Sequence, residues 1–264
     1  MAQTLLSVRC ENASVTALVY NPPYDWDAIL AFFRPRAIAG VETVGDDVYE
    51  RGGVRVTHDA PRTAVLVSDA SEADRVRTMF DLDADIVAIE KHLGRDPMLG
   101  PLVRAHRGIR VPGTWDPFEM AVRAMVGQQI SVAGATTIMG RIATRHGVTP
   151  GSLIRARTNP GMPQARWNSI RGLARAVACG EVTFERGATL DESIAKLTAL
   201  PGIGPWTAHY VAMRALREPD AFPHSDLGVR KAAGMISDRE LLARAEAWRP
   251  YRAYATMLLW KSLG

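Results

Sequence analysis

Apolar and polar positions alternate through the opening stretch of the chain. "VTALVY", "DVYERGGVRVTHDA" and "TAVLVSD" read as antiparallel strands, and the Gly52-Gly53 pair inside the second suits a tight hairpin turn. Between them "DWDAILAFFRPRAIAG" has the spacing of a helix, ended or bent by Pro35. After residue 70 the period becomes helical and stays so. "EADRVRTMF" and "DADIVAIEKHLG" predict two helices, the latter closed by Gly94. "TWDPFEMAVRAMVGQQ" predicts another, with Asp116 as its N-cap and Pro117 at its first position, and a further helix starts near Ser131. "TNPGMPQARWNSI" breaks the pattern before "IRGLARAVACG" resumes it and ends at Gly180. The pattern predicts an α+β chain: a small amino-terminal antiparallel β-sheet with helices, followed by an all-helical body. The expected division is 1–95, then 117–218, then 96–116 joined with 219–264.

At 264 residues, 47% hydrophobic and 23% charged, the chain has the composition of a folded globular protein. No apolar run approaches the roughly 18 residues of a membrane span. The start "MAQTLLSVRCENAS" lacks a basic n-region and a small-residue cleavage site. A cytoplasmic protein with no membrane contact is expected. Cys10 and Cys179 are too few for a thiolate cluster and are expected as reduced, partly buried thiols, and the six histidines show no HExxH spacing.

Charge changes the picture once it is divided. Residues 1–94 hold 9 Lys+Arg against 15 Asp+Glu, a net of −6, whereas residues 95–175 hold 12 against 3, a net of +9. The remaining 89 residues have 11 against 10, a net of +1. A middle segment that faces a polyanion fits this asymmetry. Nearly all the cations are arginine, which fits phosphate recognition or a genome rich in arginine codons.

"LPGIGPWTAHY" carries the sharpest local signal. A helix ends near Leu200, Gly202 and Gly204 permit backbone conformations that a side chain would forbid, and Pro205 starts the next helix. Backbone N–H groups at a glycine turn in front of a helix N-terminus admit an oxyanion, a phosphate above all. A plain helical corner would use the same residues. Three features favour the functional reading: Trp206 and Tyr210 one turn apart, the basic segment nearby, and Asp226 twenty residues downstream.

"LPGIGPWTAHYVAMRAL" with "AFPHSDLGVRKA" resembles the hairpin and catalytic-aspartate signature of the helix-hairpin-helix DNA glycosylases. "PPYDWDAILAFFRPRAIAGVETV", "FEMAVRAMVGQQISVA" and "WRPYRAYATMLLW" are similar to segments of the AlkA-type 3-methyladenine DNA glycosylases, in the same order from about residue 20 to residue 260.

The resemblance implies a hydrolase of base excision repair that flips an alkylated, cationic purine such as 3-methyladenine or 7-methylguanine out of double-stranded DNA. Asp226 matches the catalytic aspartate, which would stabilise an oxocarbenium-like transition state; local pattern alone reads it equally as an N-cap. Trp206, Tyr210, Trp260 and Phe32 match the aromatic base pocket, with helix packing as the alternative role. Gly202, Ile203, Gly204 and Thr207 match the DNA-gripping hairpin. Gln129 stands where the family usually places a leucine wedge, a departure that puts the strength of insertion in doubt. The position directly before Thr207 is lysine in bifunctional members and Trp206 here, so a monofunctional enzyme without lyase activity is expected. "SLIRARTNPGMPQARW" is shorter than the family pattern. No cofactor is expected for catalysis; a structural monovalent cation, Na or K, on carbonyls of Thr198, Leu200 and Ile203 is inherited from the family. A monomer is expected. The competing readings are a non-catalytic hairpin module that grips DNA phosphates, a glycosylase for hypoxanthine, ethenoadenine or oxidised purines, and a helical scaffold for protein partners.

Overall fold

The computed structural model describes residues 6–10, 13–185 and 187–264, with side chains from residue 15 onward. Contacts divide it into two compact units, Met1–Trp115 and Asp116–Gly264.

The first unit carries six strands: β1 Leu6–Cys10, β2 Ala13–Val19, β3 Glu42–Val44, β4 Val48–Arg51, β5 Val54–Asp59 and β6 Ala64–Val67. They form one antiparallel sheet in the order β1-β2-β6-β5-β4-β3. The expected hairpin joins β4 to β5 with Arg51 opposite Val54; Gly52 and Gly53 take φ of +58° and +83°, as a turn matched to strand twist requires. Beyond the strands the alternation predicts, the sheet gains β1 and the three-residue β3. The helices of this unit are α1 Trp26–Phe33, α2 Ala73–Met79, α3 Ile86–Leu93 and α4 Leu99–Ala105.

Helix α1 begins where the Asp25 carboxylate accepts the Ala28 amide at 2.9 Å. It buries Trp26, Ile29, Leu30 and Phe33, the i, i+3, i+4, i+7 stripe of an amphipathic helix. That stripe joins Leu18, Tyr49, Val56, Val65, Val67, Val76, Met79 and Phe80 in one core.

Residues 96–115 fold with this unit, whereas the sequence groups 96–116 with 219–264. The reason lies in Arg110, which is 3% exposed and donates to the carbonyls of Asp81 (3.0 Å), Ala84 (3.2 Å), Pro23 (3.0 Å) and Asn21. Its guanidinium also lies 4.8 Å from the Tyr24 ring centroid. The Val111 amide donates to Asp81 Oδ2 at 3.1 Å and the Gly113 amide to the Met79 carbonyl at 2.7 Å. A planar five-donor fork thus ties three separated segments through their backbones.

The second unit is all helical: α5 Pro117–Val126, α6 Val132–His146, α7 Pro150–Arg155, α8 Gln164–Ala178, α9 Leu190–Thr198, α10 Pro205–Val211, α11 Leu227–Ala232, α12 Asp238–Ala245 and α13 Arg252–Lys261. Helices α5 and α13 are buried on nearly all sides and form its centre. Asp116 and Ser131 cap α5 and α6 as expected, accepting from the Glu119 and Gly134 amides at 2.7 and 3.1 Å. After α10 the helix widens into a π-helical stretch, Ala212–Leu216, which ends at Arg217 with φ +63°. Cys179 is exposed rather than partly buried, because it sits at the C-cap of α8; the Cys10 side chain lies outside the described residues.

Arg110→Lys keeps the charge but loses the fork. Urea unfolding is expected to show a loss of about 2–3 kcal/mol for Arg110→Lys, and more for Arg110→Ala, since carbonyls buried around it lose charged donors. A midpoint unchanged in both variants would remove Arg110 from this role.

Candidate active site

Helix α9 ends at Thr198 and the chain turns through residues 199–204 before Pro205 opens α10, its missing N–H costing nothing at that first position. Gly202 takes φ +85°, and a Cβ there would lie 2.6 Å from Ser169 Cβ and Oγ on α8. Gly202 is therefore demanded twice, by its backbone and by its neighbour. Gly204 differs from expectation. At φ −89° and ψ 175° it is extended backbone open to any residue, and a Cβ there meets nothing within 4 Å. Its smoothness leaves open space in front of the α10 N-terminus instead of permitting a special turn.

Ile203 is 4% exposed, so its side chain anchors the turn in the core, and its amide folds back onto the Leu200 carbonyl at 3.2 Å. Among the described residues, the Gly202 and Gly204 amides donate to no protein acceptor, and both glycines are exposed. Two N–H groups without a protein acceptor, just ahead of a helix start, are donors that an anion can take. The turn is braced from the loop between α5 and α6: Gln128 Nε2 donates to the Gly202 carbonyl and to Thr207 Oγ1, each at 2.8 Å. Thr207 is 2% exposed, so its hydroxyl belongs to this brace rather than to the surface.

The neighbouring Gln129 is exposed at the loop tip with φ +61°, a left-handed conformation uncommon for a residue with a side chain. Ile130 and Val132, 38% and 40% exposed, stand beside it. The sequence does not single out this apolar pair or Gln128. The signal present is "QQISV", where Ile130 and Val132 flank the capping Ser131 directly after two glutamines.

Asp226 is the N-cap of α11, and its Oδ1 accepts the Val229 amide at 3.0 Å. The same oxygen accepts the Trp260 indole N–H at 2.8 Å, and Oδ2 accepts that of Trp206 at 3.0 Å. The N-cap reading and the functional reading thus describe one carboxylate. A carboxylate offers about four acceptor sites, and these three charge-assisted bonds leave room for one more partner. Trp206 stacks on Tyr210, their planes 6° apart and centroids 5.4 Å apart, and Tyr210 meets Trp260 at 6.1 Å and 60°. Tyr210 is buried, and its hydroxyl accepts from the buried Arg214 at 2.9 Å. The structure brings Asp226, Trp206, Tyr210 and Trp260 together. Gly228 is part of the same fit: a Cβ there would lie 3.0 Å from both Asp226 Oδ1 and Trp260 Cδ1.

Phe32, the fourth expected pocket aromatic, belongs to α1 of the first unit. There it packs against the apolar core, with the Arg36 guanidinium 3.8 Å from its ring centroid. His209, on α10, accepts the Phe222 amide on Nδ1 at 3.3 Å. Burial, then the neighbouring His224 and Arg252, hold its imidazole well below the ordinary range, at about 4. Among the described residues no cluster of three His, Cys, Asp or Glu side chains is placed to hold a metal ion. Carbonyls at Thr198, Leu200 and Ile203 are neutral oxygen donors of the kind an alkali cation takes. The Leu200 carbonyl spends one lone pair on the Ile203 amide and keeps the other.

Two outcomes are expected. In ¹⁵N spectra the Trp206 and Trp260 indole N–H resonances should both move in Asp226→Asn, while Gly228→Ala should move chiefly that of Trp260; indole signals indifferent to Asp226 would dissolve the clamp. His209 is neutral when folded and takes up a proton more readily when unfolded, so stability should be level above pH 6.5 and fall between pH 6.5 and about 4. The loss is on the order of 2–3 kcal/mol, and His209→Asn should flatten it in pH-dependent unfolding.

Several known proteins share this framework. The AlkA N-terminal domain family matches residues 15–116. The chain is 34% identical to a Mycobacterium tuberculosis protein described as a probable bifunctional transcriptional activator/DNA repair enzyme AlkA, over 97% of this chain and 60% of that one. It therefore spans about 60% of that relative's length. It is 30% identical to DNA-3-methyladenine glycosylase 2 of Escherichia coli, over 94% of this chain and 97% of the relative. The solved 3-methyladenine DNA-glycosylase of Archaeoglobus fulgidus shares the fold at a TM-score of 0.78 and 20% identity, covering 92% and 96% of the two chains.

Proposed function

Because the chain belongs to the AlkA-type family of DNA-3-methyladenine glycosylase 2, we propose that it is a DNA repair glycosylase hydrolysing the N-glycosidic bond of alkylated, cationic purines such as 3-methyladenine and 7-methylguanine. One observation carries the reading: the Asp226 carboxylate held between the Trp206 and Trp260 indoles.

Cleavage of the bond to C1′ builds positive charge on the sugar. Asp226, with three donors fixing its plane and one acceptor position left, supplies preorganised negative charge for that cation and orients the attacking water. Helix α11 and the two indoles set the carboxylate before substrate arrives, so little reorganisation is needed. The target base must leave the stack to be reached. A methylated purine carries its charge on the ring, and the π-faces of Trp206, Tyr210 and Trp260 attract such a ring by about 1–2 kcal/mol each when desolvated. Because the cationic base is already a good leaving group, no strong general acid is required. The low affinity of His209 for protons and its bond to the Phe222 amide agree with that.

The Gly202 and Gly204 amides take a backbone phosphate of double-stranded DNA, and Gln129, exposed at its loop tip, enters the gap left by the flipped base. A monovalent cation on the Thr198, Leu200 and Ile203 carbonyls would reinforce the phosphate seat. Trp206 occupies the position where a lyase carries its amine, which supports a monofunctional reaction that leaves an abasic site. A hairpin module that only grips DNA has no use for a carboxylate clamped by two indoles.

Purified protein incubated with methylated duplex DNA should release free 3-methyladenine and 7-methylguanine, without strand breaks until alkali is added. Asp226→Asn should lose at least about 100-fold in release while still binding the duplex. Equal release by both proteins would remove Asp226 from catalysis.

A further inference from the structure

Residues 120–180 contain no aspartate or glutamate and eight arginines. Most of them form α6, α7, α8 and their loops, away from the Asp226 clamp in sequence and with no part in its chemistry. Arg141 and Arg145 lie one turn apart near the end of α6, Arg155 and Arg157 flank the end of α7, and Arg166 stands in the first turn of α8. The first four are exposed and Arg166 is half-buried. Among the described residues, none of the five makes a side-chain hydrogen bond or ion pair.

Local structure gathers them. His146 Nε2 meets the Thr158 carbonyl at 3.1 Å, and its ring lies 5.8 Å from that of Trp167, which pins the end of α6 to the loop ahead of α8. Asn159 Oδ1 accepts the Gly161 and Met162 amides, each at 2.9 Å, so the loop is folded on itself. The Arg141 guanidinium lies over Gly161, where φ is +101° and a Cβ would come within 3.0 Å of it. Arg166 precedes by three residues Ser169, the residue packed against Gly202, and so shares the α8 face that meets the hairpin. A basic strip therefore runs from the phosphate seat along α8 to the end of α6, with Arg166 about 4.5 Å along the helix axis from Ser169.

Folding does not ask for this pattern. Helices α5, α9 and α12 carry acids in their first turns, as the helix dipole favours, whereas α6, α7 and α8 carry none, and α8 places a cation there. Planar, unpaired guanidinium groups along one track match the phosphates of a duplex.

We propose that this strip is a second phosphate track, which binds the duplex flanking the hairpin and extends the grip beyond the damaged site. The inference rests on the glycosylase reading for its DNA partner. Its test uses the full chain and the triple substitution Arg141→Gln, Arg145→Gln, Arg157→Gln, with circular dichroism to verify folding. Binding to duplexes of about 30 and about 10 base pairs, each with a central abasic-site analogue, is followed by anisotropy across a salt series. On the long duplex the slope of log affinity against log salt should fall by about 2–3, at roughly 0.9 for each phosphate no longer neutralised, with affinity down roughly 10- to 100-fold near 0.1 M salt. On the short duplex the variant and the parent protein should differ far less. An unchanged slope on the long duplex overturns the proposal, as does an equal loss on both lengths; capture of an acidic peptide by the parent protein, abolished in the variant while the DNA slope stays, would assign the strip to a protein partner instead. Base release by the parent protein and its loss in Asp226→Asn report on the glycosylase reading separately, because neither depends on the salt slope.

Discussion

The second unit is organised around a negative charge that is not allowed to find a cation. Asp226 is satisfied by an amide and two indole N–H groups, donors that carry no net charge and cannot cancel its own. An arginine in either place would have made a salt bridge and quenched the field the carboxylate projects. Tryptophan supplies a donor without that consequence, along with a broad apolar face that keeps water from surrounding the group. The surrounding packing follows from this arrangement. Tyr210 stacks behind Trp206, Arg214 is directed to the Tyr210 hydroxyl, and Gly228 stays bare so that Trp260 can close in.

Both units satisfy buried polar groups with arginine forks and helix caps. In the first, the guanidinium of Arg110 collects carbonyls from two segments, 21–23 and 81–84, that neither helix nor sheet could use. In the second, Arg252 is held by Asp220, and side chains at helix starts take up amides from Asp116 to Ser131 to Asp226 itself, as Asp25 does in the first. A cap that also projects charge outward is economical: the bond to the Val229 amide orients the group while leaving acceptor capacity to spare.

Much of this was legible in the sequence, for reasons that are local. Alternation gave β4, β5 and β6, and the Gly52-Gly53 turn followed from backbone sterics that any sequence obeys. Asp116, Ser131 and Pro205 marked helix starts because capping is settled within three or four residues. What escaped was decided by neighbours distant in the chain. β3 is too short to show a period, and β1 pairs only along one edge of the sheet. The placement of 96–115 depends on Arg110 reaching carbonyls nearly ninety residues away, and no window of sequence displays that. Gly204 resembled its neighbour Gly202 in sequence, yet only Gly202 needs a left-handed backbone; Gly204 is set by the space in front of it. Phe32 shares a residue type with the clamp aromatics and lies on a helix of the first unit, where Phe33 and Arg36 are among its partners. Gln128 was hidden beside Gln129 because adjacent identical residues differ only in direction, and direction is a property of the folded loop.

That loop has a mechanical side. A single side-chain nitrogen on Gln128 fastens the carbonyl of Gly202 and the hydroxyl of Thr207 to the turn whose next residue is Gln129. The tip and the glycine turn are consequently rigged like two ends of a rocker. One glutamine side chain is thus all that separates them, with no helix in between.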